Sequence, residues 1–125
     1  MSKYENVILI DDDEITNYIN ENVIREVGLG EHIKTYIAAE KALSDIENEI
    51  DHPPTLVLLD LKMPVFDGFD FLEEYTNMDP TIRKNIRIVV LTTSENPYDL
   101  KRVNELGYDD YIIKPLSKEN LSEFL

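Results

Sequence analysis

The stretch that decides the fold is Leu56-Val57-Leu58-Leu59-Asp60, followed by Leu61-Lys62-Met63-Pro64. Four consecutive apolar residues are typical of a strand that is buried on both faces, as in a parallel sheet. Asp60 lies where that strand ends, and open α/β sheets bind their ligands at the carboxyl ends of strands. Asp60 is therefore a candidate for chemistry, and an acid that caps a turn is the alternative.

Three other apolar runs end in polar residues in the same way. They are Val7-Ile8-Leu9-Ile10 before Asp11-Asp12-Asp13, Ile88-Val89-Val90-Leu91 before Thr92, and Tyr111-Ile112-Ile113 before Lys114-Pro115. A fifth, weaker strand is predicted over residues 32–37. We therefore predict five strands, four of which end in a polar side chain.

Apolar residues recur at helical spacing between these strands. The predicted apolar helix faces are Ile15, Tyr18, Ile19, Val23 and Val27; Ala42, Leu43, Ile46 and Ile50; Phe69, Phe71, Leu72 and Tyr75; and Leu100, Val103 and Leu106. Asp13 is the expected cap of the first helix and Asn96-Pro97 the start of the fourth, whereas Asp79-Pro80 predicts a loop. A fifth helix is expected from residue 117. Strands that alternate with helices predict an α/β fold, a parallel sheet with helices on both faces.

The composition limits the class of protein. A chain of 125 residues, 42% of them apolar, fits a single domain spanning residues 1–125. The net charge of −14 argues against direct nucleic-acid binding, and the absence of cysteine excludes thiolate metal sites. We find neither a stretch long enough to span a membrane nor a signal peptide, and therefore expect a cytoplasmic protein without membrane contact.

The carboxyl ends of parallel strands meet at one edge of a sheet, so the polar residues at these ends are expected to converge: Asp11, Asp12, Asp60, Thr92 and Lys114. Two carboxylates at roughly 4 Å repel by about 4 kcal/mol at an effective dielectric near 20, so a cluster of three favours a bound cation. Oxygen ligands without cysteine or histidine favour magnesium. A carboxylate, a metal, a lysine and a hydroxyl together are what phosphoryl transfer to a carboxylate requires. Taken singly, Thr92 is also compatible with an ordinary strand residue and Lys114 with a surface lysine.

With these motifs the chain resembles the receiver domain of two-component response regulators, from Val7 to its end. The matching features are Asp11-Asp12, Asp60 with Met63-Pro64 and Asp67-Gly68, Leu91-Thr92-Thr93-Ser94, and Tyr111 with Lys114-Pro115. The resemblance implies a flavodoxin-like, doubly wound sheet with strand order 2-1-3-4-5, and a cis Lys114-Pro115 peptide bond. Since no output domain follows, we expect a stand-alone receiver.

The resemblance also implies roles for the acidic residues. Asp60 would accept a phosphoryl group from a histidine kinase or a histidine phosphotransfer protein, in a two-component system or a phosphorelay. Asp12 and Asp60 would bind magnesium directly, joined by the Lys62 backbone carbonyl, and Asp11 would act through a metal-bound water. The protein would not be an enzyme, beyond gaining and losing its own phosphoryl group.

A switch follows from the same resemblance. Thr92 and Lys114 would bind the phosphoryl oxygens, and movement of Thr92 would let the Tyr111 ring change rotamer. The face that contains Tyr111 would then change shape, and a downstream protein would read it. The sequence also leaves open whether a second copy of the chain is a partner, in a weak homodimer.

Two other functions stay open as well. Phosphatases of the haloacid dehalogenase type also use a strand-end aspartate with magnesium. They share a second aspartate two residues later, where this chain has Lys62. An interaction module that keeps the fold without phosphorylation is the other alternative. The intact acids, Thr92 and Lys114 argue against it.

The lifetime of the phosphoryl group depends on its neighbours. In the receiver pattern, the positions two beyond the phosphorylated aspartate and two beyond the switch threonine flank the path of an attacking water, and here they are Lys62 and Ser94. The Lys62 side chain either lies across the phosphoryl group and shields it or points into solvent. The first arrangement predicts slow loss of the phosphoryl group.

Overall fold

Five strands form one parallel sheet in the computed structural model, which describes residues 3–93 and 96–124. The strands are β1 (Tyr4–Ile10), β2 (Gly30–Tyr36), β3 (Thr55–Asp60), β4 (Ile86–Thr92) and β5 (Tyr111–Ile113). Their order in the sheet is β2-β1-β3-β4-β5, and every neighbouring pair is parallel. The predicted flavodoxin-like, doubly wound topology is confirmed.

Helices flank the sheet on both faces in the described residues. They are α1 (Glu14–Val27), α2 (Ala39–Glu47), α3 (Gly68–Thr76), α4 (Pro80–Arg83), α5 (Pro97–Glu105) and α6 (Lys118–Leu121), and a 3₁₀ turn follows at Ser122–Phe124. The expected loop at Asp79-Pro80 is wrong, because the Asp79 side chain caps α4 by accepting from the Thr81 N–H at 2.9 Å. The last residue, Leu125, lies outside the described part of the chain.

β3 is the central strand, and all six of its residues are buried. Val57 and Leu59 pack with the helices α2, α3, α4 and α5, whereas Leu56 and Leu58 pack with α1 and α6 on the opposite face. Successive side chains of a strand point to opposite faces of its sheet. The continuous apolar run that precedes Asp60 therefore serves two separate cores, as the sequence predicts.

The helix α1 presents a different face to the core from the one predicted. Ile24 is fully buried together with Asn17, whereas Ile15 and Tyr18 are 71% and 68% exposed. Ile19 is exposed as well. The physical reason is a pair of hydrogen bonds: the Asn17 Nδ2 donates to backbone carbonyls at the ends of β1 and β2, and this fixes the rotation of the helix.

Two apolar residues at the far end of α1 do contact the core, since Val23 and Val27 are partly buried against it. In α2 the predicted residues Ala42, Leu43 and Ile46 are buried. Ile50 is not part of that face, because α2 ends at Glu47 and Ile50 is exposed. Apolar spacing thus predicted α1, α2, α3 and α5 but not the short helix α4, and it predicted the buried faces in part.

The rotation of α1 can be tested with two equal truncations. Ile24→Ala removes a fully buried side chain and is expected to lower the free energy of unfolding by about 2–5 kcal/mol. Ile19→Ala removes the same atoms from an exposed position and is expected to change it by less than about 0.5 kcal/mol. Urea unfolding of both variants measures the difference. Equal losses would contradict the observed rotation.

Candidate functional site

The sequence-predicted site residues lie together at the carboxyl ends of β1, β3, β4 and β5. Asp11, Asp60 and Thr92 are buried, with 3%, 5% and 4% of their surface exposed. Asp12 is exposed, and Lys114 is partly buried. The topology brings these residues together because β1 and β3 are adjacent, with β4 and β5 next in order.

Three carboxylates form the centre of the site. One oxygen from each of Asp11, Asp12 and Asp60 lies within 4.8 Å of the others, close enough for all three to hold one metal ion. The Lys114 Nζ lies 2.9 Å from the Asp11 Oδ2 and 3.2 Å from the Asp60 Oδ1. The ammonium therefore offsets part of the repulsion between these two buried acids.

The Asp11 carboxylate is held from both sides. Its Oδ1 accepts from the Asp13 N–H at 3.0 Å, while its Oδ2 accepts from Lys114. Asp13 caps α1 as predicted, because its Oδ1 accepts from the Ile15 N–H at 2.9 Å. The β1–α1 turn thus fixes the Asp11 side chain through the backbone N–H of Asp13, the residue that also caps α1.

Asn17 is a positioning residue that the sequence analysis missed. Its Nδ2 donates to the Asp11 carbonyl at 3.0 Å and to the Tyr36 carbonyl at 3.1 Å. It thereby joins the ends of β1 and β2 beside the acidic cluster. An asparagine within an amphipathic helix carries no signal of burial, so the apolar pattern could not have indicated this role.

The loop after Asp60 is folded tightly onto the end of β3. The Gly68 N–H donates to the Leu61 carbonyl at 3.1 Å. A Cβ atom at position 68 would lie 2.7 Å from the Asp60 carbonyl oxygen, so the close approach of α3 to the site requires glycine. In the same loop Val65 is fully exposed and adopts a φ of 68°, an unusual conformation for a β-branched residue.

Burial and charge shift two pKa values in the site. Burial raises the pKa of Asp60 above its ordinary value, the charge of Lys114 opposes this, and the charge of Asp11 adds to it. Burial would lower the pKa of Lys114, but its hydrogen bonds to Asp11 and Asp60 and their charges outweigh burial and raise it. Lys114 is therefore fully charged at neutral pH. Burial disfavours the charged form of Asp60.

Lys62 reaches away from the site to the first turn of α5. Its Nζ lies 3.2 Å from the Asp99 Oδ2 and 3.3 Å from the Asp99 Oδ1. It also lies 5.8 Å from the centre of the Phe69 ring. The sequence predicts that this side chain either lies across the phosphoryl group or points into solvent. The structure shows neither arrangement, because the side chain is 64% exposed but held in an ion pair. Ser94, the second expected neighbour, lies outside the described residues.

The end of β5 is attached to the end of β4 beside the site. The Lys114 N–H donates to the Thr92 carbonyl at 2.7 Å, and the Lys114-Pro115 peptide bond is cis, as expected. Tyr111, at the start of β5, is 40% exposed. It lines a surface groove together with Asn120 of α6 and Phe124.

An apolar surface adjoins the mouth of the site. Ile15, Tyr18 and Ile19 of α1 are exposed together with Ile37, which follows β2. Ile37 shares a groove with Tyr18 and a second depression with Asp12. We call the residues Ile15, Tyr18, Ile19 and Ile37 the α1 patch.

The fold and the site define a receiver domain, and comparison with known proteins agrees. Residues 7–125 match the response regulator receiver domain, and the chain belongs to that family. It is 30% identical over 119 residues to two-component response regulator ORR41 of Oryza sativa, covering 95% of this chain and 90% of the relative. It is 28% identical over 117 residues to chemotaxis protein CheY of Halobacterium salinarum, covering 94% and 90%.

Other relatives are longer than this chain. The identity to the probable transcriptional regulator ycf27 of Porphyridium aerugineum is 32% over 117 residues, which cover 94% of this chain but 45% of that protein. The chain thus spans about half the length of that relative.

Two solved structures illustrate the likeness in fold. A response regulator receiver protein from Dyadobacter fermentans superposes with a TM-score of 0.85 at 25% identity, covering 96% of this chain and 97% of that one. The receiver domain of a sensor histidine kinase from Pseudomonas aeruginosa superposes with a TM-score of 0.76 at 21% identity, covering 96% and 93%, and has magnesium coordinated in its active site cleft. Among the residues described for our chain, no helix has the length and apolar character needed to cross a membrane.

The raised pKa of Asp60 predicts that Asp60→Asn stabilises the metal-free protein at neutral pH. A carboxyl whose pKa is raised by folding lowers stability as pH rises from its unfolded pKa, about 3.9, through the higher folded value. Asparagine carries no charge and avoids this loss, so the advantage of the variant should vanish as pH falls below about 4. Urea unfolding in the presence of a chelator, at neutral and acidic pH, measures it.

Asp109→Asn, at an exposed carboxylate, is the matched control and should show little difference at either pH. If Asp60→Asn were less stable than the wild type at neutral pH, attraction by Lys114 would outweigh the burial of Asp60, contrary to the prediction.

Proposed function

We propose that this protein accepts a phosphoryl group on Asp60 from a partner's phosphohistidine, with magnesium bound, and thereby switches a protein-interaction surface. The observation that carries the proposal is the buried Asp60 carboxylate, which lies 3.2 Å from the Lys114 ammonium and within 4.8 Å of two further carboxylates. Membership of the receiver family supports it. Asp60 would be the phosphoacceptor, and Thr92 and Lys114 would bind the phosphoryl oxygens.

The transfer is a nucleophilic substitution at phosphorus. An oxygen of the Asp60 carboxylate attacks the phosphorus, and the bond from phosphorus to the donor's imidazole nitrogen breaks, with the electron pair staying on that nitrogen. The product is an acyl phosphate on Asp60. Lys114 stands 3.2 Å from Asp60, where its charge stabilises the additional negative charge of the phosphoryl group.

The donor atoms of the site fit magnesium. Asp12 and Asp60 would ligate it directly with the Lys62 backbone carbonyl, and Asp11 would act through a metal-bound water. Three carboxylates and the single ammonium of Lys114 leave two net negative charges, and hard oxygen ligands are those magnesium prefers. When bound, the metal supplies positive charge at the phosphoryl oxygens.

The proposed partners are proteins. A histidine kinase or a histidine phosphotransfer protein would be the donor, and a protein target would read the phosphorylated state. A donor that reaches Asp60 has to cover the mouth of the site, and the neighbouring α1 patch offers it apolar surface. The net charge of −14 argues against a direct nucleic-acid partner, and a weak homodimer stays open.

Labelling tests the proposal directly. Incubation with acetyl phosphate and magnesium should add one phosphoryl group to the wild type, and Asp60→Asn should abolish it, because a carboxamide is a far poorer nucleophile. Intact mass measured at intervals follows the adduct. An interaction module without phosphorylation would gain no mass, and a phosphatase would turn over acetyl phosphate without accumulating the adduct.

The metal ligands give a second prediction. Magnesium should raise the melting temperature of the wild type, since a ligand that binds the folded state stabilises it. Asp12→Ala should remove most of that rise, whereas the exposed control Asp109→Ala should keep it. Thermal unfolding with and without magnesium is the measurement, and an unchanged rise in Asp12→Ala would place the metal elsewhere.

The switch gives a third prediction. Binding of the phosphoryl group would draw in the Thr92 hydroxyl, and Tyr111 would change rotamer and alter the surface it shares with α5 and α6. Beryllofluoride, a phosphoryl mimic, should therefore shift amide resonances from Thr92 to Lys114, and Thr92→Val should reduce the shifts near Tyr111. Shifts confined to the metal ligands would argue against this route.

A further inference from the structure

Two lysines stand near Asp60, and the structure directs them differently. Lys114 contacts the Asp60 carboxylate, whereas the Lys62 ammonium contacts the carboxylate of Asp99. The Lys62 backbone N–H nevertheless acts on the Asp60 carboxylate, where it opposes the rise in the pKa of that group. The Lys62 side chain therefore begins at the rim of the phosphorylation site and ends on α5.

Asp99 is well placed to hold this side chain. It lies in the first turn of α5 and has only 15% of its side chain exposed, compared with 64% for Lys62. A carboxylate in the first turn of a helix is itself stabilised by the helix dipole. Asp99 is thus the more buried member of the pair and Lys62 the more exposed one.

The Phe69 ring is a second neighbour of the Lys62 ammonium. The Arg102 guanidinium lies 4.1 Å from the centre of this ring, and the Lys62 Nζ lies 5.8 Å from it. Phe69 is buried, and it offers its ring to both cations. Asp99 supplies the negative charge that pairs with the Lys62 ammonium.

We infer that Asp99 is a positioning residue that sets the lifetime of the phosphoryl group, by holding the Lys62 ammonium against α5 and away from Asp60. The inference rests on the proposed function. In the phosphorylated state, the phosphoryl group competes with Asp99 for the Lys62 ammonium, because phosphorylation adds negative charge beside the base of that side chain.

The reaction that Asp99 controls is hydrolysis of the acyl phosphate. The oxygen of a water attacks the phosphorus, the bond between phosphorus and the Asp60 oxygen breaks, and the carboxylate keeps the electron pair. The water's proton is lost to the phosphate product or to solvent. A Lys62 ammonium that lies on the phosphoryl group blocks the approach of this water, whereas a Lys62 that is held by Asp99 leaves the approach open.

Half-lives of the phosphoryl group test the inference. Proteins are labelled with acetyl phosphate, freed from it by rapid desalting, and followed by intact mass in saturating magnesium. Asp99→Asn should lengthen the half-life by roughly three- to tenfold, where tenfold corresponds to about 1.4 kcal/mol of barrier. Asp99→Glu, which restores the charge, should return the half-life toward that of the wild type. Glu105→Gln, at an exposed acid of the same helix, should leave it unchanged.

A second pair of variants separates positioning from a structural effect on α5. In a Lys62→Met background, Asp99→Asn should have no effect, because there is no ammonium to release. The inference is overturned if Asp99→Asn leaves the half-life unchanged, shortens it, or lengthens it equally in the Lys62→Met background. If the wild type takes up no phosphoryl group at all, the proposed function fails and the inference fails with it.

Discussion

The structure depends on the contact between the Lys114 ammonium and two buried carboxylates. Asp11 directly follows β1, and Asp60 ends the neighbouring strand β3. Both are nearly inaccessible to solvent, where two uncompensated negative charges would strongly disfavour the folded state. Lys114 comes from the far edge of the sheet, 103 residues after Asp11 in sequence. Its charge allows a fold stabilised by apolar packing to keep an acidic centre.

Much of the architecture around this contact serves to fix its geometry. β3 is buried on both faces and brings Asp60 to the edge of the sheet, and Gly68 lets α3 approach the Asp60 carbonyl closely. Asn17 joins the carbonyls at the ends of β1 and β2, so α1 is rotated by a polar requirement. The consequence is that apolar side chains of α1 face outward beside the site. Hydrogen bonding by Asn17 and burial of apolar side chains therefore favour different orientations of this helix.

The sequence predicted the parts of this arrangement that follow from local pattern. The strand-end positions of Asp60 and Lys114 follow from short apolar runs, and the cap at Asp13 follows from its place between a strand and a helix. The rotation of α1 could not be predicted in this way, because Asn17 becomes an interior residue only once two backbone carbonyls converge on it. The Lys62–Asp99 pair was equally hidden, since the two residues are 37 positions apart and meet only after α5 packs beside the β3–α3 loop. Long-range polar contacts leave no periodic trace in a sequence.

The α1 patch has a consequence for the behaviour of the protein in concentrated solution. Apolar surface that is exposed on one molecule attracts the same surface on another, which promotes self-association. The net charge of −14 opposes this by long-range repulsion between molecules. That repulsion is screened within about 8 Å at physiological ionic strength, and it weakens as carboxylates become protonated in acid. Colloidal stability is therefore greatest in dilute salt at neutral or alkaline pH, and the excess of surface acids is what permits a hydrophobic helix face to stay uncovered.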